Sequence, residues 1–270
     1  MKNNDLSKLY QPVRKVPMAD LLSGYQHLSG LSYAMILTLA SGEERVVNYC
    51  SEDYFLVENK LIIPPFIEEV SKFFNIEPMV KIRNETRFYV DFMIKQKELT
   101  MFKGDIVYPC IRYVNSIDGS VKYHWEMLFW RKVCSNGLMG FKNWDSVKRM
   151  HTPGLENLTD FSKVMEMTSL FLAEADVHFE NYRFLQEQIV RRPDLRIEEV
   201  IDETDFPSSL QENVAFRLEE EAKQMGVTQI TDWLIYNAFN FQLNHVEDYK
   251  AKEEKKAKID SQVFLYLLTY

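Results

Sequence analysis

Cys134 has the surroundings in this sequence that best suit nucleophilic chemistry. It closely follows Arg131 and Lys132, and nearby cations lower the pKa of a thiol. A nucleophilic cysteine also needs a positioned base, but the five histidines are scattered along the chain and none has a telling spacing. We therefore expect Cys134 to be a small core residue at the end of a strand, so that Cys134→Ser keeps most function. The sequence predicts a non-enzymatic protein, and a cysteine-dependent enzyme is the least favoured hypothesis.

Sequence motifs for metal, nucleotide or disulfide chemistry do not stand out either. The cysteines form no CxxC pair, and the chain has no HExxH, Walker A or GxGxxG motif. Glu174 and His178 share a helical spacing that is more typical of solvated helix charges than of metal ligands. No apolar run is long enough to cross a membrane, and the N-terminus does not read as a signal peptide. We expect no metal, no cofactor, no membrane contact and a cytoplasmic location.

The charges are distributed unevenly. Residues 79–150 carry 13 Lys and Arg against 7 Asp and Glu, whereas residues 151–270 carry 12 against 23, in a chain of net charge −8. A basic segment inside an acidic chain suggests an anionic partner. Two alternatives stay open: the basic and acidic parts attract each other, or the charges form solvated faces.

Aromatic residues interleave with the cations of this basic segment. Single-stranded nucleic acid is bound by cations that follow its phosphates and by rings that stack on its bases. Phe88, Trp125 and Phe129 alternate onto a hydrophobic face, so we expect them in the core, whereas Tyr89 and Trp130 lie on the other face and are candidates for stacking. The predicted contact residues are Lys81, Arg83, Arg87, Tyr89, Arg112, Trp130, Arg131 and Lys132.

Strands must position these residues. The run from Val121 to Phe129 alternates apolar and polar residues, which is a strong strand signal. Asp118-Gly119, just before it, predicts a hairpin turn, because both residues tolerate positive φ. Asn136-Gly137 predicts a further tight turn. Asn115 is expected to help shape the hairpin.

The element order predicts an α+β fold. An irregular arm over residues 1–30 precedes a hairpin of Leu31–Ala40 and Arg45–Tyr49, and a helix begins at Pro64-Pro65. An antiparallel meander follows, because its connections are too short for parallel crossovers. Helical spacing then begins near Thr159 and predicts C-terminal helices. We predict a core domain over residues 1–190 and a helical extension over residues 191–270.

Two segments together resemble a known family. Asn115-Ser116-Ile117-Asp118-Gly119-Ser120 and the segment from Arg131 to Met139 are similar to motifs of the phage- and plasmid-encoded "phage/plasmid-like protein" family, a domain of unknown function. The resemblance implies a mobile-element protein of the bacterial cytoplasm, without an assigned activity.

The element order also resembles that of the phage single-strand annealing proteins of the Red-beta and Erf kind. Those proteins form rings and hold single-stranded DNA on a basic groove, so the resemblance implies a homo-oligomer with single-stranded DNA as partner. We expect single-stranded DNA binding or annealing in recombination. The alternative is a phage-encoded inhibitor that binds a host protein, for example a defence factor, through its acidic C-terminal helices.

Overall fold

The computed structural model describes residues 5–21, 31–84, 86–102, 104–132, 136–138, 147–149, 151, 158–245 and 253–270. The fold is α+β, as predicted, with antiparallel strands followed by helices. The chain divides into two compact units, which are residues 1–96, 110–127 and 144–169, and residues 97–109, 128–143 and 170–270. The predicted domains, residues 1–190 and 191–270, stay a prediction.

The first unit begins with a three-stranded antiparallel sheet. Its strands follow the order β1-β2-β3 and are β1 (Val13–Pro17), β2 (Tyr33–Thr38) and β3 (Glu44–Cys50). The predicted hairpin of β2 and β3 is confirmed. The N-terminal arm contains β1, which the sequence did not predict, and a short helix, α1 (Met18–Leu21), where a short helix over Met18–Tyr25 was expected. A strand is possible there because Pro17 stands at the end of an edge strand, where a missing N–H is tolerated.

Helix α2 (Asn59–Val70) begins earlier than predicted. Pro64 and Pro65 lie inside it and not at its start. Prolines remove backbone hydrogen bonds from a helix interior. The cost is offset by an apolar face on which Ile63 and Phe66 are fully buried.

A seven-stranded sheet follows, with strand order β10-β8-β7-β5-β4. Strand β6 pairs with β7, and β9 pairs with β8. The strands are β4 (Ile76–Asn84), β5 (Arg87–Ile94), β6 (Leu99–Phe102), β7 (Asp105–Ser116), β8 (Tyr123–Arg131), β9 (Asn136–Leu138) and β10 (Val147–Arg149). The long strands β7 and β8 contribute residues to both compact units.

One face of this sheet forms the core of the first unit. The ring of Phe66 on α2 lies 4.2 Å from that of Trp125 on β8, between ring centroids, and 5.0 Å from that of Phe92 on β5. Phe161 closes the cluster at 5.2 Å from Phe66. The predicted alternation is confirmed in the first half of β8, where Tyr123 and Trp125 are buried while His124 and Glu126 are only partly buried, but every residue from Met127 to Arg131 is buried.

The Asn136-Gly137 turn was predicted wrongly. These residues belong to β9, where Gly137 pairs with Trp130 and Asn136 with Arg131. The connection between β8 and β9 therefore precedes Asn136. An Asn-Gly pair permits a turn, but the backbone pairing with β8 decides its conformation here.

The second unit is mainly helical. Helix α3 (Ser162–Glu187) begins in the first unit and continues into the second. The later elements are α4 (Pro193–Glu203), a 3-10 turn (Ser208–Leu210), α5 (Gln211–Met225), α6 (Asp232–His245) and α7 (Glu253–Thr269). Gly226 ends α5 with φ 66°, as its position after a helical pattern predicts.

Helix α6 is the centre of the second unit, since every residue from 232 to 240 is buried. Trp233 packs on Tyr182 of α3 with 5.2 Å between ring centroids, and Tyr236 packs on Phe264 of α7 at 5.0 Å. On the strand side of this unit, Phe129 contacts the rings of α3. This helix is buried on all sides although it contains polar residues, whose side chains are hydrogen-bonded: Asn237 donates to the carbonyl of Trp233, and Asn240 donates to Asp260.

Candidate nucleic-acid interface

Strand β5 carries two of the predicted contact residues at half-exposed positions. Arg87 and Tyr89 are partly buried and alternate with the fully buried Phe88 and Val90, but from Val90 onward every residue of the strand is buried, so the more accessible face is confined to the start of β5. The Nε of Arg87 donates a hydrogen bond of 2.6 Å to Oγ of Ser120. This residue therefore stands beside the Asp118-Gly119 turn, with its side chain only partly covered.

Two further predicted residues lie on β4, the edge strand next to β5. Position 81 pairs with Tyr89 in the strand register. The backbone of Lys81 and Arg83 thus belongs to the hairpin that carries Arg87 and Tyr89, while the side chains of these two residues lie outside the described part of the structure.

Arg112 is also in the sheet, but an internal carboxylate engages it. Its Nε and Nη2 donate hydrogen bonds of 2.6 and 2.9 Å to the two carboxylate oxygens of Asp91, directly opposite on β5. Burial opposes the charged form of Arg112, but the adjacent Asp91 carboxylate raises the pKa of the guanidinium above its ordinary value. Arg112 therefore connects β5 and β7, and its guanidinium is less available to bind a phosphate than that of an unpaired arginine would be.

The ion pair extends into a row of charged and polar side chains across three strands. Nη1 of Arg112 lies 3.6 Å from Oε1 of Glu126 on β8, whose Oε2 lies 3.7 Å from Nε2 of His124. Burial alone raises the pKa of Glu126, but the adjacent His124 side chain and the charge of Arg112 bring it below its ordinary value. The row His124–Glu126–Arg112–Asp91 was not predicted from the sequence. The signal was present, since Asp91 interrupts an apolar strand and the other members sit at polar alternating positions.

Arg131 and Trp130 are removed from the predicted contact set, because both side chains are buried. Arg131 is 0% exposed, and its guanidinium pairs with the carboxylates of Asp105, at 2.7 Å, and Glu221, at 2.5 Å. The indole of Trp233 donates a hydrogen bond of 3.1 Å to the same Asp105. A guanidinium enclosed by two carboxylates cannot reach a phosphate, so its role in the second unit is structural.

Lys132 has the opposite environment from its neighbour. Its side chain is exposed, and its backbone N–H donates a hydrogen bond of 2.8 Å to the carbonyl of Ile106. It stays a candidate contact residue of the second unit. Cys134, the candidate nucleophile, lies outside the described residues.

The Asp118-Gly119 turn has the structural role that the sequence predicts. The Asp118 carboxylate accepts hydrogen bonds from Oγ1 of Thr86, at 2.7 Å, and from the backbone N–H of Ser120, at 2.9 Å. Burial opposes ionisation, but the hydrogen bonds from Ser120 and Thr86 lower the pKa of Asp118. Gly119 adopts φ 67°, where a side chain is strained.

Asn115 fixes the strand end before this turn. Its Nδ2 donates hydrogen bonds to the carbonyl of Val57, at 2.9 Å, and to Oδ1 of Asn59, at 2.8 Å. Tyr113 donates a third bond, of 2.9 Å, to the same Asn59 oxygen. A buried network of this kind ties β7 to the start of α2 and gives the turn a fixed base.

The part of the chain that the structure describes contains neither a cluster of metal ligands nor a membrane-spanning helix. No group of three or more His, Cys, Asp or Glu side chains there could hold a metal ion. The helices of that part are also too short or too polar to cross a membrane. In the charged row, the cation between the carboxylates of Asp91 and Glu126 is the guanidinium of Arg112.

The protein belongs to the α+β class, and the described residues of the candidate site interact through ion pairs and hydrogen bonds. Residues 47–263 match the family described as Domain of unknown function (DUF932), and the chain belongs to this family. No curated protein and no solved structure matches the chain.

Proposed function

We propose that this protein binds single-stranded DNA through the hairpin of β4 and β5. The observation that carries the proposal is the pair of half-exposed residues Arg87 and Tyr89, which alternate with buried apolar residues on β5. Lys81 and Arg83, whose backbone belongs to the adjacent edge strand, complete the proposed contact set of this hairpin. The proposed contact set in the first unit is therefore smaller than the set predicted from sequence.

The chemistry of these residues suits a single strand. A tyrosine ring can stack on any base, and arginine donates hydrogen bonds to phosphate oxygens. The row of Asp91, Arg112 and Glu126 shares the strand face of Arg87 and Tyr89, and it contributes rigidity because the two carboxylates compensate the charge of Arg112. Such a surface would contact the phosphate backbone and the faces of the bases, so it would bind single-stranded DNA with little preference for sequence.

We further propose that the protein anneals complementary strands in the recombination of a phage or plasmid, as a cytoplasmic homo-oligomer and without covalent chemistry. The two motif segments support the mobile-element origin, through their resemblance to phage- and plasmid-encoded proteins. The element order supports annealing, since it is similar to that of ring-forming annealing proteins. A fluorescence assay of strand annealing, combined with sedimentation analysis, tests this part separately from simple binding.

Fluorescence anisotropy with labelled oligo-dT tests the binding proposal. We expect log Kd to depend linearly on log salt, with a slope of about 0.7 for each phosphate contacted. Arg87→Ala is expected to flatten this dependence, whereas Tyr89→Ala is expected to cost about 1–3 kcal/mol with little change in slope.

Matched controls come from the three-stranded sheet of the same unit. Arg45 and Tyr49 on β3 are exposed, and Arg45→Ala and Tyr49→Ala are expected to leave binding unchanged. If the β3 variants weaken binding as much as the β5 variants, the interface is placed wrongly. If the wild-type protein ignores oligo-dT at low salt, the proposal is wrong, and binding of a host protein becomes the leading hypothesis.

A further inference from the structure

A groove in the first unit has no role in the proposed DNA binding. It has a volume of about 610 Å³ and lies between the end of α2 and the start of α3. Its apolar surface comes from Pro65, Phe73, Phe74, Phe161 and Met165. Phe73 is 63% exposed, which is unusual for a phenylalanine beside a concave surface.

The rim of this groove is acidic. Glu68, Glu69, Asp160 and Glu166 all line it. Glu69 forms an ion pair with Lys72 at 2.6 Å, and Asp160 accepts a hydrogen bond from the backbone N–H of Ser162. These two carboxylates are therefore already engaged within the protein. Glu68 and Glu166, one on each helix, are exposed. The carbonyl end of α2 and the amide end of α3 both lie at the groove, so their helix dipoles oppose each other and the negative potential comes from the carboxylates.

We propose that this groove binds a basic segment of a partner protein that inserts an apolar side chain beside Phe73. Charge complementarity selects the occupant: Lys or Arg of the segment would face Glu68 and Glu166, while an aliphatic or aromatic anchor fills the apolar floor. Nucleic acid is excluded as occupant, because its phosphates would meet the acidic rim. The inference is independent of the DNA-binding surface, which is basic and lies on β4 and β5.

The probe is a fluorescein-labelled amphipathic peptide with Leu at positions i, i+3, i+4 and i+7 and Lys elsewhere. We expect the wild-type protein to bind it, and a matched peptide with Glu in place of Lys to bind at least about tenfold more weakly. A scrambled Lys peptide, which keeps the charge but loses the apolar face, is expected to lose binding to a similar degree.

Substitutions on the protein locate the site. Glu68→Lys combined with Glu166→Lys, and separately Phe73→Ser, are expected to weaken peptide binding about tenfold or more. Glu219→Lys with Glu220→Lys, and Phe216→Ser, are matched controls on α5, where Phe216 is also 63% exposed. All substituted side chains are exposed, and circular dichroism checks that each variant is folded.

Three outcomes would overturn the proposal. The first is equal binding of the Lys and Glu peptides, and the second is an equal loss in the groove variants and the α5 variants. The third is a concentration-dependent self-association that Phe73→Ser abolishes, because the occupant would then be a second copy of this chain. Oligo-dT binding is expected to be unchanged in Phe73→Ser, so failure of this inference is distinguishable from failure of the DNA-binding proposal.

Discussion

Asp91 and Arg112 lie directly opposite each other on β5 and β7, and the carboxylate accepts two hydrogen bonds from the guanidinium, at 2.6 and 2.9 Å. Asp91 has no exposed side-chain surface, and only 13% of the Arg112 side chain is exposed. A two-point contact in this setting is directional as well as ionic, so it fixes the pairing of the two strands.

Breaking this pair is expected to destabilise the fold strongly. Asp91→Ala leaves a largely buried guanidinium with less compensation, and we expect a loss of about 3 kcal/mol in the free energy of unfolding by urea. Replacing both partners, as in Asp91→Leu with Arg112→Met, is expected to cost less than the sum of the single changes. Additive losses would contradict a direct coupling between the two side chains.

Arg131 and Lys132 are expected to behave differently although they are neighbours. Arg131→Ala leaves the carboxylates of Asp105 and Glu221 without their central cation, and we expect a loss of about 3–5 kcal/mol in unfolding experiments. Lys132 is exposed, and Lys132→Ala is expected to change the free energy of unfolding by less than about 0.5 kcal/mol. A fully stable Arg131→Ala protein that had lost DNA binding would return Arg131 to the contact set.

Gly119 is expected to tolerate alanine poorly, for two reasons. Its φ of 67° is unfavourable for any residue with a Cβ, at a cost of about 1–2 kcal/mol. An added Cβ would also stand 3.2 Å from Cε2 of Tyr54. Gly42→Ala is the control, because Gly42 has φ 83° and no atom within 4 Å of the added Cβ. Thermal unfolding is expected to show the larger decrease in Tm for Gly119→Ala, and equal decreases would exclude a contribution from Tyr54.

His178 is expected to make stability depend on pH. Burial lowers the pKa of His178 from its ordinary value, although the charge of Glu174 opposes this shift. Below about pH 6.5, the pKa of an unfolded histidine, the unfolded chain therefore binds more protons than the folded one. The stability contributed by neutral His178 is fully present above that pH and is lost as the pH falls towards the folded pKa.

Urea unfolding at several pH values checks this expectation. His178→Leu is expected to flatten the loss of stability below about pH 6.5, without removing it, because burial also lowers the pKa of His151. Phe179→Leu is a packing control that lowers stability at every pH and keeps the slope. An unchanged slope in His178→Leu would show that other groups control the acid response.

The sequence alone determined the local features of this protein. Alternation identified β5 and β8, and it assigned Trp125 and Phe129 to the core, where both are buried. Asp118-Gly119 identified the hairpin turn, since few residues accept its backbone conformation. These features depend on neighbours along the chain, which is why a single sequence contains them.

Only the tertiary structure decided which cations remain accessible. In the sequence, Arg87, Arg112 and Arg131 are equivalent positive charges within one basic segment. In the fold, Arg87 is half-exposed, Arg112 is paired across the sheet with Asp91, and Arg131 is enclosed by carboxylates that include one from α5. Burial and ion pairing depend on which distant elements pack together, and charge counted along the chain does not contain that information.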